Sequence, residues 1–422
     1  MNWKALMTTA AFAVLMTAAP SLADDVTGSI TLLTWVSGSE LATLHKVEAA
    51  FVAKHPGVSF KEIVPSFTGD PRGGLRTVLL GGEPLDLIEN TWPAFRAELA
   101  GQKLIRPIDD QWTKFGWDKV LNPSWKALGQ TDGTTYGVQF TYGDRSSWYY
   151  LNSTLAKAGV TPPKTWDDFL ASFAKFKAVG VTPVALPAKV WAHAEWFQSL
   201  LIRVGGVEAA TKLAKHQIPW TDPVVKQALG KWKDMIVAGG IAAPQTVLGL
   251  DWDNAADQVL KSGTAGYEHI GMWVAQYSAD QFGIKPGTDF GLTQFPALGL
   301  GHDDTSMVDS KEFLAGTSGK NPVATDAFLD FLTSADAGNI LAKDGFIVPS
   351  TNVDTSLYNP VIKAAADAVG SAKHLQFVLG DLLPGDLVDE YRVQLQKFIQ
   401  SPTDATIDSV TAAIEAKAAD AY

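Results

Sequence analysis

Two rhythms of apolar and polar positions alternate along this chain. The run Ile30-Thr31-Leu32-Leu33-Thr34-Trp35-Val36 is β-branched and apolar, and it is halted by Ser37-Gly38-Ser39-Glu40. Leu41, Leu44, Val47 and Phe51 then recur at helical spacing until His55-Pro56-Gly57. The order is strand, small-residue turn, helix, and a second strand is predicted over 58–64. Further strands are predicted over 86–89, 134–141 and 147–151, with a helix after Trp92-Pro93. Thr165, with Asp168 three positions on, has the spacing of a capped helix start. Asp222-Pro223 opens another helix, which runs through Trp232 to the stop at Gly239-Gly240. Helices are expected near 321–333, 387–399 and 404–419. This is an α/β chain without an internal repeat, a low-complexity block or a long polar linker, so any passage between domains uses short hinges.

The first residues add an address. A single positive charge, Lys4, precedes a short apolar stretch that ends in Ser21-Leu22-Ala23. That stretch is too short and too threonine-rich to span a bilayer, so residues 1–23 read as a cleaved signal peptide. The chain has no cysteine, which removes disulfides, thiol catalysis, thiolate metal sites and a bacterial lipid anchor. A soluble periplasmic product follows as the expectation. The formal charge of −11 gives no electrostatic footprint for nucleic acid. The 422 residues leave room for two ordinary domains after the leader is removed. Its 14 tryptophans are about three times ordinary usage and are the one compositional anomaly.

Several chemistries are missing. No two of the seven histidines stand at a His-x-His or HExxH spacing, so no metal site is expected. There is no G-x-S-x-G elbow and no phosphate-binding G-x-x-x-x-G-K-[ST] loop. Gly299-Leu300-Gly301 lacks the third glycine of a dinucleotide fingerprint and reads as a loop.

Ten short segments, taken in order, carry a resemblance. They include TWVSGSELATL (34–44), VLLGGEPLDLIENTWP (78–93), TTYGVQFTYGDRSSWYYLN (134–152) and AGVTPPKTWDDF (158–169). DQVLKSGTAGYEHIGMWVAQY (257–277), VDSKEFLAG (308–316) and the LGDLLPGD region (379–386) follow. On these the chain resembles family 1 extracellular solute-binding proteins of carbohydrate ABC importers, most of all the glucose-type members. The resemblance implies a type II periplasmic binding protein fold: two discontinuous α/β lobes joined by three hinge crossovers near 138–142, 290–293 and 315–320. The N-terminal lobe would hold 24–138 and 293–316, and the C-terminal lobe 142–290 and 320–422. It further implies a monomer that needs no cofactor, captures a mono- or small oligosaccharide, and delivers it to membrane permease subunits. A periplasmic glycoside hydrolase using paired carboxylates such as Glu40 and Asp309 is the alternative from another class. A ligand presenter for a chemoreceptor would share the same site.

The substrate-binding residues follow partly from position. Trp35, Ser39 and Glu40 lie in the turn after the first strand, where open α/β sheets commonly place ligands. By the resemblance, Trp273 stacks on a sugar ring, with Trp191 a similar candidate from the second lobe. Asn90 and Trp92 match a hydroxyl-binding loop, Asp309 and Lys311 a hinge-side loop, and Asp381 a late loop reaching the cleft. Arg145, just past the first crossover, offers a fork of donors. Trp166, Trp220 and Trp232 are assigned to packing. Close glucose-type relatives carry histidines in the segments matched by 90–92, 143–145 and 379–381, and this chain has none there. The lobes and the capture mechanism therefore transfer further than glucose itself.

Overall fold

Strand β1 (Thr27–Leu33) leads through Trp35 to the helix Gly38–Lys54, and β2 (Gly57–Ile63) returns parallel to β1. This computed structural model describes residues 26–67, 71–121 and 123–422, so the signal peptide expected at 1–23 lies outside the described residues. β3 (Leu87–Asn90) joins the other edge of β1, and a small hairpin, β4 (Gln130–Thr131) and β5 (Thr134–Thr135), precedes the long β6 (Gly137–Asp144). β7 (Ser147–Leu151), β8 (Thr182–Val184), β9 (Ala265–His269) and β10 (Phe290–Gln294) form a second sheet in the order β10-β7-β9-β8. β11 (Thr305–Ala315) and β12 (His374–Phe377) complete the first sheet, ordered β12-β11-β3-β1-β2 with β6 on the other edge of β11. Two lobes result, each with its own aromatic core.

β6 and β11 run antiparallel from one lobe into the other. β11 pairs with β12 over Thr305–Val308 and with β3 over Glu312–Ala315, while β6 follows it on the opposite edge. The register shifts between Lys311 and Glu312, a bulge that increases local twist where the ribbon changes lobes. The third passage follows the helix Ala335–Lys343. There Val348 packs in the first core and Ile347 in the second, and the Ile347 carbonyl accepts from Tyr142 N at 3.0 Å.

These contacts move two expected boundaries. Residues 290–293 are not a crossing, because β10 pairs with β7 along its whole length. Residues 293–308 stay with the second lobe, where Phe295 and Met307 share the core of Trp148. The helices Pro322–Leu332 and Ala335–Lys343 belong to the first lobe, not the second: Phe328 and Leu341 are buried with Ile30, Val47 and Phe51. The physical reason is the apolar face of 322–341, which covers the side of the first sheet that the helix Gly38–Lys54 leaves open. The crossings are therefore the β6 and β11 ribbon and the segment after Lys343.

Helix starts match the expected chemistry. Thr165 accepts from Asp168 N at 3.1 Å, and Asp222 accepts from Val224 N at 2.9 Å. Trp166, Trp220 and Trp232 are buried in the second lobe, as assigned. Removing the Thr165 cap by Thr165→Ala is expected to cost about 1 kcal/mol, readable as a lower urea midpoint with an unchanged slope.

Candidate functional site

A cleft of about 730 Å³ opens between the lobes, floored by the β6 and β11 ribbon. Its first wall is the turn between β1 and the helix Gly38–Lys54. Gly38 adopts φ +58°, a left-handed conformation that costs glycine little, and the chain turns sharply enough there to present Trp35, Ser39 and Glu40 together. Trp92 closes this wall against Trp35, ring centroids 5.1 Å apart at 43°.

The second wall is aromatic in the same way. Trp191 precedes the helix His193–Ala214, and Trp273 begins the helix Trp273–Phe282. Their centroids are 5.8 Å apart, and Trp252 meets Trp273 edge-on at 6.2 Å. Trp273, Gln276, Tyr277, Asp280 and Gln281 all line the cleft. Positions i, i+3, i+4, i+7 and i+8 share one helix face, so a single helix supplies a whole strip of this wall. Gly271 makes room for the indole: a Cβ there would fall 1.8 Å from the Trp273 ring.

The floor carries paired charge. Asp309 and Lys311 alternate along β11 and so project to the same side, opposite Gly143 and Thr141 of β6. The Lys311 ammonium donates to Glu40 and sits 4.8 Å from the Trp35 centroid. Arg145 donates to Asp309 at 2.6 Å and to the buried Glu195, and its guanidinium lies 4.4 Å from the Trp273 centroid. Burial opposes the charge on Lys311, but Glu40 and Glu89 outweigh it and hold its pKa above the ordinary lysine value. For Arg145 burial is likewise overcome by Glu195 and Asp309, so the guanidinium stays charged.

The structure thus brings together ten of the eleven expected residues: Trp35, Ser39, Glu40, Trp92, Arg145, Trp191, Trp273, Asp309, Lys311 and Asp381 all line the cleft. Asn90 is the correction. It is fully buried, its amide donating to Glu312 Oε1 at 2.7 Å and to the Trp92 carbonyl at 3.0 Å, so it holds the Trp92 loop from beneath. Glu312, bonded also by Arg96 and Gln139, is the centre that claims it. Glu195, Gln198, Trp252, Gln276 and Tyr277 were not expected from sequence. The face repeat from Trp273 onward is the signal that reveals the last two.

Titration at the cleft gives a pH prediction. Burial pushes the Asp381 carboxyl up to about 7, with Arg145 pulling the other way. Burial also pushes Glu89, beneath the cleft, up to about 7 against the pull of Lys311. Both folded values lie above the unfolded reference near 4, so the folded state binds more protons across that window. Their stabilising contribution is complete below about pH 4 and is lost as pH rises through about 7. The buried His193 and His269, pushed down to about 4 by burial, act in the opposite sense and lose stability as pH falls from about 6.5. Between about pH 6.5 and 8 the histidines are silent and the carboxylates act. Urea midpoints should fall across that interval, and fall less in Asp381→Asn.

Comparison with known proteins places this geometry. The chain matches the bacterial extracellular solute-binding protein family over residues 37–339. It is 27% identical over 349 residues to an uncharacterized ABC transporter extracellular-binding protein of Pyrococcus horikoshii, covering 80% of this chain and 75% of the relative. It is 25% identical over 328 residues to an alpha-glucosides-binding periplasmic protein of Rhizobium meliloti, covering 72% of this chain and 70% of the relative. Among solved structures, a chitin oligosaccharide binding protein superposes with TM-score 0.81 at 23% identity, covering 94% of this chain and 99% of that one. The bacterial solute receptor AcbH, described as exclusively preferring β-D-galactopyranose, also gives 0.81 at 23% identity, over 93% of this chain and 98% of that one. The two α/β lobes are thus the type II binding-protein fold, and the chain belongs to the bacterial extracellular solute-binding protein family.

Proposed function

We propose that this protein is the capture component of a carbohydrate ABC importer. It closes its lobes over a mono- or small oligosaccharide in the periplasm and hands the closed complex to membrane permease subunits. The observation that carries this reading is the interleaving of flat rings with hydrogen-bonding groups on both walls. A pyranose has an apolar C–H face and a polar edge, so it needs an indole beside it and carboxylates, amides and guanidinium around it. Arg145 Nε and Glu195 Oε2, buried beside the cleft, have no partner within the chain, and ligand hydroxyls would complete them.

The charges of the floor compensate one another, Glu40 with Lys311 and Asp309 with Arg145, which favours a neutral, glucose-type sugar over a sugar acid. The same pairing makes Glu40 and Asp309 hydroxyl acceptors and not the proton donor and nucleophile of a hydrolase. The relatives named for sugars support the class of ligand. The test is a thermal-shift panel of monosaccharides, disaccharides, polyols and sugar acids. A melting temperature that rises with a neutral sugar, with the sugar recovered unchanged, is the expected result. A response confined to sugar acids would reassign the ligand, and silence to every carbohydrate would overturn the reading.

A further inference from the structure

On the outer side of the first lobe, away from the cleft, three side chains converge. His45 and Glu48 lie one turn apart on the helix Gly38–Lys54, and Glu62 stands on β2. One ligand atom from each lies within 4.8 Å of the others. His45 Nε2 is 2.8 Å from Glu62 Oε1 and 3.0 Å from Oε2. Glu48 is only 7% exposed, yet its Oε1 has no hydrogen-bond partner. A buried carboxylate oxygen without a donor is costly, and a second carboxylate beside it adds repulsion. The lysines next in sequence to these residues do not relieve it: Lys46 is bonded to Asp344 and Lys61 to Glu83.

We propose that His45, Glu48 and Glu62 form a binding site for one divalent transition cation of the zinc type. One imidazole nitrogen with two carboxylates is a donor set that suits such an ion, whereas magnesium and calcium call for oxygen throughout. Three protein ligands leave a fourth position for water, and the half-exposed His45 gives the ion a way in. Burial, followed by the hydrogen bond and the charge of Glu62, pushes the Glu48 carboxyl up to about 9. Glu48 therefore keeps its proton until a cation displaces it, and binding releases that proton. The ion ties helix to strand within one lobe, so it stabilises the first lobe without entering the sugar cleft.

The test uses tag-free protein stripped with EDTA and titrated calorimetrically with Zn²⁺, Mn²⁺ and Mg²⁺, with melting temperatures recorded alongside. The expected result is one Zn²⁺ per chain with a raised melting temperature, weaker Mn²⁺ binding, and no saturable Mg²⁺ binding. His45→Ala and Glu62→Gln should each weaken Zn²⁺ by at least the roughly 10–100-fold that losing an outer-shell partner costs. Both should also remove the zinc-dependent rise in melting temperature. Glu48→Gln, uncharged and nearly isosteric, should lose zinc while the metal-free protein melts no lower than wild type. That combination separates a ligand from a residue needed only for folding. Failure of the wild type to bind stoichiometric Zn²⁺, or undiminished binding in both His45→Ala and Glu62→Gln, would overturn the proposal.

Discussion

Trp273→Ala is expected to weaken sugar binding about 30- to 150-fold, roughly 2–3 kcal/mol, while the free protein melts within a few degrees of wild type. The indole is half-buried and held before any ligand arrives. Gly271 backs it, the Arg145 guanidinium lies 4.4 Å from its centroid, and Trp252 meets it at 90°. A ring already in place loses little conformational freedom on binding, so most of its stacking energy reaches the affinity. Trp273→Phe keeps a flat face and should retain most binding, whereas alanine leaves the sugar face opposite open solvent. Calorimetric titration of the three proteins checks this. A loss below about threefold in Trp273→Ala would remove Trp273 from the sugar platform, since anchors of this kind are worth far more.

Arg145→Met should produce the largest loss of stability, about 3–5 kcal/mol, because it strands buried charge. The Glu195 side chain is 1% exposed, and Arg145 is its ion-pair partner. Burial alone raises the Glu195 pKa, with Arg145 pulling it back, so without the guanidinium the carboxylate must take up a proton or pull water inward. Asp309 loses its partner at the same time but is 20% exposed and is better able to solvate. The double variant Arg145→Met with Glu195→Gln should therefore recover more than half of the lost stability. Urea unfolding of both single variants and the double variant measures the coupling directly. Equal stability of wild type and Arg145→Met would mean that this cluster is solvated, contrary to its burial.

Much of this architecture was legible in the chain. β1, the helix after it, β7 and the capped helix at Trp166 follow from local periodicity and turn chemistry, which act within a few residues. The lobe boundaries were not, because they depend on contacts far apart in sequence. β10 was taken for a crossing since nothing in Phe290–Gln294 shows that it pairs with β7. β11 is long and buried along most of its length, and its bulge at Lys311 and Glu312 breaks the alternation that would have marked it. The helices Pro322–Leu332 and Ala335–Lys343 have clear apolar faces, but a face does not name the sheet it covers. The candidate site was read more completely than the boundaries, since aromatic and charged residues near strand ends concentrate at such clefts. Asn90 failed for a specific reason: Glu312, 222 positions away, captures its amide. The strip from Trp273 to Gln281 was overlooked because its polar members look like an ordinary solvated helix face.

Tryptophan fluorescence, titrated with neutral mono- and disaccharides, tests the central claim most directly, because five of the fourteen tryptophans line the cleft. The account predicts a saturable change with one sugar per chain, at affinities around micromolar, on the order of −8 kcal/mol. A protein that saturates with a non-carbohydrate solute while its fluorescence ignores every sugar would contradict it.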